Sequence, residues 1–144
     1  MTQEQRRSFC PISYVLDLFG DKWTLLVVRD IALARKSYFR EFLESQEKIA
    51  SNILADRLKS LVAAGIVSRR PDPSNARQVI YELTEKGEDL IPALLELGFW
   101  GAKHDAESAA PKHQIRRIQN DRDGLVAEIK ASLKAARARR LPAQ

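Results

Sequence analysis

The sequence contains one cysteine, two histidines and six glycines among its 144 residues, and each scarcity excludes a class of function. A single cysteine, Cys10, cannot form an internal disulfide and fits a reducing compartment. Neither His104 nor His113 has a cysteine or carboxylate at metal-ligand spacing, so we expect no metal site. Because no glycine-rich phosphate loop and no nucleophile–base arrangement occurs, we expect neither an enzyme nor a bound cofactor.

Long apolar runs are also missing. A membrane-spanning helix needs about 18 or more consecutive apolar residues, and no stretch approaches that length. The first residues, MTQEQRRSFCPI, include two arginines but no apolar core of a secretion signal. With 44% hydrophobic and 30% charged residues, the composition is that of a globular domain, and we expect a cytoplasmic protein.

Positive charge is concentrated in two segments of the chain. The net charge is +5, yet residues 1–47 are balanced. Residues 48–77 carry six basic and two acidic residues, 78–111 two basic and seven acidic, and 112–144 nine basic and three acidic. If the basic residues served only solubility, the excess positive charge would be spread evenly along the chain. The segment 48–77 is therefore a candidate nucleic-acid-binding surface.

The hydrophobic pattern predicts a mainly α-helical fold with a small β-hairpin. Four helices are expected first, at 11–19, 22–34, 37–45 and about 50–64, with Asp21 and Ser37 as caps of the second and third. Alternating β-branched residues around the turn-forming PDPSNAR predict a hairpin, or wing, at about 66–83. A long helix bent at Pro92 is expected over 85–107, and a basic helix over 112–140.

The helix at about 50–64 has a leucine stripe and a polar opposite face. Leu54, Leu58 and Leu61 share one side, whereas Asn52, Asp56, Lys59 and Ala63 point the other way. The polar face is either an ordinary solvated surface or a surface that reads DNA. The wing that follows carries Arg69, Arg70 and Arg77, which favours DNA reading because arginine neutralises phosphate.

Two charged residues of this helix have less certain roles. Asp56 would repel phosphates, so we expect it to pair with Lys59 or Lys48 unless it accepts a bond from a cytosine amino group. Arg57 lies beside the leucine stripe. It is either a phosphate contact or a structural ion-pair partner.

Three segments together resemble the HxlR-type winged helix-turn-helix transcriptional regulators, which are related to the MarR family. They read CPISYVLDLFGDKWTLLVVRDI, IASNILADRLKSLVAAGIVSRR and YELTEKGEDLIPALLELGFWG, within roughly residues 9–104. The resemblance implies a winged helix-turn-helix domain at 9–108. The basic helical extension expected at 109–144 is longer than the minimal family domain, and the resemblance says little about it. It also implies a homodimer, joined through the first and C-terminal helices, that represses or activates transcription at a pseudo-palindromic operator.

The resemblance places Ser51, Asn52 and Lys59 in the groove, and Arg70 and Arg77 in the wing contacts. The candidate DNA-binding residues, from the resemblance and the residue pattern together, are Ser51, Asn52, Ala55, Arg57, Lys59, Arg69, Arg70 and Arg77. Where the family usually has a serine, this chain has Ala50, so we expect Ser51 to cap the recognition helix.

Cys10 is a candidate redox or effector sensor. It matches the position at which some members of the family sense oxidants, quinones or aldehydes. The helix start at Pro11 and the nearby Arg6 and Arg7 favour a thiolate, whereas the alternative is a small buried apolar side chain. With no second cysteine, the available products are a bridge between two copies of Cys10, a mixed disulfide or an alkylated thiol.

Other interpretations stay open. The basic tail favours a nonspecific architectural DNA-binding protein, and winged helices also act as protein–protein interaction modules. The tail itself could contact the DNA backbone or bind an acidic partner, but its hydrophobic spacing favours a solvated helix that extends the dimer. Phe19, Trp23, Phe99 and Trp100 either belong to the core and the dimer interface or line an effector pocket.

Overall fold

A computed structural model describes residues 6–140. These residues form helices α1 (Pro11–Phe19), α2 (Thr24–Ala32), α3 (Phe39–Leu43) and α4 (Ser51–Ala63), a hairpin of β1 (Val67–Asp72) and β2 (Asn75–Leu83), and helices α5 (Glu85–Glu88), α6 (Ile91–His104), α7 (Lys112–Asn120) and α8 (Arg122–Arg139). The predicted fold class, mainly α with a β-hairpin wing, is confirmed. The last four residues of the predicted extension lie outside the described range. Among residues 6–140, no helix combines the length and apolarity of a membrane span.

The core is centred on α2 and α4. Val28 and Ile31 of α2 and the predicted stripe Leu54, Leu58 and Leu61 of α4 are all buried. Burying side chains of this size stabilises the fold by about 1.5–3 kcal/mol each relative to exposure. The leucine stripe therefore determines which face of α4 remains in solvent.

Helix α4 ends in a Schellman motif, which turns the chain directly into the wing. Gly65 has a φ of +72°, a conformation in which a Cβ is unfavourable. The N–H of Ile66 donates to the carbonyl of Leu61 at 3.0 Å, and that of Gly65 to Val62 at 3.0 Å. These bonds close the helix and start β1 two residues later.

The wing is fastened to the helix-turn-helix by two hydrogen bonds. The Tyr38 hydroxyl donates to Asp72 Oδ2 at 2.7 Å, and the Tyr81 N–H donates to the Ser37 carbonyl at 2.8 Å. Asp72 also accepts bonds from the Ser74 N–H and hydroxyl, each at 2.8 Å, which form the turn. The tip of the hairpin is thus held at the start of α3.

Two predicted helix starts differ from the structure. Helix α3 begins at Phe39, with Tyr38 rather than Ser37 at the N-cap; Glu41 supplies the cap by accepting from the N–H groups of both Ser37 and Tyr38. The prediction for Asp21 is closer, because its carboxylate accepts from the Trp23 and Thr24 N–H groups at 2.8 and 3.0 Å, although α2 begins only at Thr24.

The single bent helix predicted over 85–107 is wrong, because the structure has the short α5 and then α6. Thr84 caps α5 by accepting from the Gly87 N–H at 3.1 Å. A Cβ at Gly87 would lie 2.2 Å from the Ile66 carbonyl oxygen, so α5 is held directly against the start of the wing. Pro92 has no N–H to continue the α5 pattern, and it occupies the first turn of a new helix instead.

The predicted helix over 112–140 is also two helices, α7 and α8. Asp121 breaks it with φ −149° and ψ 53°, and its side chain caps α8 by accepting from the Gly124 N–H at 3.2 Å. Ile118, Ile129 and Leu133 of these helices are buried in the main core. The apolar stripe of the tail is therefore used within its own chain.

Candidate nucleic-acid interface

The face of α4 opposite the leucines is exposed. Asn52 and Lys59 lie in solvent on it, and Ser51 and Ala55 are exposed on one flank. Small residues in the first turn allow another molecule to approach the backbone closely. The prediction that Ser51 caps the helix is wrong, because α4 begins at Ser51 and Ala50 occupies the N-cap without a side-chain hydrogen bond.

Five cations of the helix-turn-helix and wing are exposed and have no ion-pair partner within residues 6–140. They are Arg40, Lys48, Lys59, Arg69 and Arg77. Unpaired cations bind phosphate without first breaking an internal bond. The sequence interpretation omitted Arg40 and Lys48 from the DNA-binding set. Lys48 has a φ of 57°, a conformation rare for a lysine, in the turn before α4.

Arg57 is engaged within the protein. Its Nε lies 3.3 Å from Asp21 Oδ2, and its Nη1 lies 3.6 Å from Asp56 Oδ2. Of the two roles left open, this geometry fits the structural ion-pair partner. The prediction that Asp56 pairs with a lysine is wrong, since its partner is Arg57. Burial raises the pKa of Asp21, but hydrogen bonds from Thr24 and the backbone, together with Arg57, outweigh it and lower that pKa overall.

Arg70 is also paired, unlike the two other wing arginines. Its Nε lies 3.2 Å from Glu82 Oε2 on the facing strand, and its Nη2 lies 3.3 Å from Oε1. Only 7% of Glu82 is exposed, and Arg140 Nη1 lies 3.2 Å from the same Oε1. A phosphate would therefore compete with this carboxylate for Arg70.

Cys10 is exposed and occupies the N-cap of α1, so the alternative of a buried apolar cysteine is wrong. The two nearby arginines bind other groups. Arg7 pairs with Asp17 at 2.5 Å, and the Arg6 guanidinium lies over the rings of Phe9 and Tyr14 at 5.2 and 5.5 Å.

The four candidate aromatic residues do not line one pocket. Phe19 is buried in the core, and Trp23 lines a small cavity between α2 and α3. Phe99 borders a separate groove between α6 and α7, whereas Trp100 is 66% exposed. In the part of the chain that the structure describes, no group of three or more side chains could hold a metal ion.

A short helix, a turn and an amphipathic helix followed by a two-stranded wing define a winged helix-turn-helix protein, the class that places a recognition helix in the DNA major groove. The family model for the HxlR-like helix-turn-helix matches residues 18–109, and the chain belongs to this family of transcriptional regulators.

Proteins similar to this chain include a regulator related in sequence and two regulators of known structure. The HTH-type transcriptional regulator BH0655 of Halalkalibacterium halodurans is 35% identical over 94 residues, covering 65% of this chain and 83% of the relative. The oxidised redox regulator HypR is 32% identical, with a TM-score of 0.60 over 67% of this chain and 98% of HypR. Reduced YodB of Bacillus subtilis is 31% identical, with a TM-score of 0.55 over 70% of this chain and 99% of YodB; YodB also has a quinone-bound structure.

Proposed function

We propose that the protein is a homodimer that binds a pseudo-palindromic operator and thereby regulates transcription. The two copies of α4 would enter successive major grooves about 34 Å apart, with the wings on the flanking backbone. The observation that carries this proposal is the exposed polar face of α4 beside a wing whose Arg69 and Arg77 have no ion-pair partner within residues 6–140.

The residues of α4 divide into base and backbone contacts. Asn52 lies in the first turn, where its amide can bond an adenine edge bidentately. Ser51 and Ala55 flank it and are small enough to allow the helix to lie deep in the groove. Lys59, one turn further along, contacts phosphate or guanine.

The arginines of the interface differ in their tasks. Arg69 and Arg77 contact phosphates, because both are exposed on the wing. Arg57 holds α4 against the start of α2 through Asp21, so its effect on binding is indirect. Arg70 contacts phosphate only after it leaves Glu82.

Exposed apolar side chains on α1 and on α6 support the proposal of a dimer. Ile12, Val15 and Leu16 of α1 and Leu97 and Trp100 of α6 are large side chains that remain exposed in a single chain. Their spacing of three and four residues places them along one side of each helix. Exposed apolar patches of this kind are typical of protein–protein interfaces.

Selection of binding sites from a random duplex library, with the purified full-length protein, tests the proposal. We expect an enriched pseudo-palindrome whose half-sites are separated by about one helical turn. The protein should bind this sequence at least about a thousandfold more tightly than random duplex at physiological salt. Equal affinity for all duplexes would favour an architectural DNA-binding protein, and no salt-sensitive binding would favour a protein-interaction module.

A thiol response through Cys10 is a second candidate function. The supporting observation is that Cys10 is exposed at the N-cap of α1, the helix that carries part of the apolar surface. A mixed disulfide, an alkyl group or a bridge to the partner's thiol there would change how the two subunits meet. Operator binding of the wild type should change after diamide or quinone treatment, and binding of Cys10→Ser should not. An identical response of both proteins would exclude Cys10 as the sensor.

A further inference from the structure

Glu82 of β2 lies between two guanidinium groups that come from distant parts of the chain. Arg70 approaches it from β1 at 3.2 Å, and Arg140 approaches it from the end of α8 at 3.2 Å. The carboxylate is almost completely buried. Two positive charges therefore share one buried negative charge, at the base of the wing.

Arg140 is held in this place by its own helix. Three residues earlier, Arg137 donates to the Leu83 carbonyl at 3.2 Å and pairs with Glu88 at 2.5 Å. The Arg140 N–H donates to the Arg137 carbonyl at 3.1 Å, and Leu133 anchors the helix in the core. The end of α8 is thus fixed against β2 and α5 independently of Arg70.

Because Arg140 also pairs with Glu82, it lowers the free-energy cost of moving Arg70 away from that carboxylate. A buried carboxylate that loses its only partner is strongly destabilised, because no ion pair or hydrogen bond then compensates for its lost hydration. With Arg140 in place, Glu82 keeps one guanidinium after Arg70 turns to a DNA phosphate. Without Arg140, the same movement leaves Glu82 buried and unpaired.

We propose that Arg140 is a positioning residue for DNA binding: it holds the Glu82 carboxylate so that Arg70 is released to contact a phosphate. This inference rests on the proposed function. Arg140 lies outside residues 18–109, which the family model matches. The C-terminal helix of this chain therefore sets the DNA affinity of its wing without contacting DNA.

The salt dependence of DNA binding, measured by fluorescence anisotropy on the full-length protein, tests the proposal. Arg140→Gln should bind operator about tenfold more weakly than wild type, because Arg70 stays on Glu82. The slope of log affinity against log salt should fall by about 2 per dimer, since each lost phosphate contact accounts for about 0.9. Arg139→Gln is the matched control: it removes the same charge from an exposed neighbour and should keep the wild-type slope.

Two double variants separate positioning from a general structural effect. In the Arg70→Gln background, Arg140→Gln should leave the slope unchanged, because there is no contact left to release. In the Glu82→Gln background, Arg140→Gln should also leave the slope unchanged. This double variant has no buried carboxylate at position 82, so it should fold even without Arg140. Arg140→Lys should restore most of the slope.

A slope for Arg140→Gln equal to that of Arg139→Gln overturns the proposal, as does a loss that persists in the Arg70→Gln background. The test is distinct from that of the proposed function. The slope also reports phosphate contacts on random duplex, so it remains decisive for Arg140 even if wild type shows no preferred operator.

Discussion

Arg57 in the middle of the recognition helix lies 3.3 Å from Asp21, the residue whose carboxylate starts α2. One carboxylate thus caps the central buried helix and also pairs with the helix proposed to read DNA. Asp21→Ala should lower the free energy of unfolding by about 1 kcal/mol through loss of the cap. Urea denaturation measures this; Asp89→Ala, an exposed carboxylate without a side-chain bond within residues 6–140, should change stability by less than about 0.5 kcal/mol.

Substitutions of Asn52 and Arg77 should affect different properties of DNA binding: base discrimination for Asn52 and overall affinity for Arg77. Asn52→Ala should remove discrimination at one base position in each half-site, because a bidentate amide–adenine pair contributes about 1–3 kcal/mol of discrimination. Arg77→Ala should weaken binding to every duplex and lower the salt slope by about 1 per subunit. Binding to operators with single-base changes, at several salt concentrations, distinguishes the two; an Asn52→Ala protein with unchanged base preference contradicts the assignment.

Gly87 should not tolerate a side chain. A methyl group there would lie 2.2 Å from the Ile66 carbonyl oxygen, so Gly87→Ala must push α5 away from the wing. We expect a loss of about 1–3 kcal/mol in the free energy of unfolding. The matched control is Gly98→Ala, where the added Cβ meets no atom within 4 Å beyond its chain neighbours and the local helix backbone, and no loss is expected.

Stability should fall at acid pH through Glu47. The hydrogen bond from Arg29, with Nη1 2.6 Å from Oε1, lowers the pKa of Glu47 to about 2, from an ordinary value of 4.5. The unfolded chain therefore binds the proton first, and the stabilisation is complete above pH 4.5 and is lost as the pH falls toward 2. Because 37% of the side chain is exposed, the effect is modest. Glu47→Gln should flatten this part of the stability–pH curve; an unchanged curve contradicts the prediction.

The proposed dimer surface makes a further prediction. Ile12 is 71% exposed on α1, and Ile12→Glu should convert the dimer to a monomer and weaken operator binding at least tenfold, since two half-sites no longer bind together. Light scattering gives the mass. Leu33→Glu places the same charge at another exposed leucine, beyond the end of α2, and should leave the dimer intact.

The sequence alone predicts the elements around the interface but not the contacts of the tail. The leucine stripe of α4 and the turn chemistry of the wing are local patterns, and both appear in the structure. The sequence shows directly that residues 78–111 are acidic and residues 112–144 are basic. It does not show their mutual pairing, because Arg122–Glu96, Arg137–Glu88 and Arg140–Glu82 join residues 26, 49 and 58 positions apart.

Local patterns were also insufficient where a tertiary contact decided the outcome. Gly87 packs on the Ile66 carbonyl and so holds α5 against the start of the wing, and Pro92 then occupies the first turn of a separate α6. The break at Asp121 is local instead, because its side chain caps α8 by accepting from the Gly124 N–H, a capping signal that the sequence prediction missed. The sequence predicts a DNA contact for Arg70 and leaves Arg57 open between a phosphate contact and an ion-pair partner. Only the structure identifies the carboxylates that lie beside them.

The bond from Tyr38 to Asp72 has a consequence for how an effector would act on the operator. Because this bond and that from Tyr81 to Ser37 tie the wing to the helix-turn-helix, α4 and the wing of each subunit in the proposed dimer would move as one block. A change at α1 would then leave the block intact and alter only the distance and angle between two blocks. Such a regulator would distinguish operators by the length of the spacer between half-sites, while the bases it prefers stay the same.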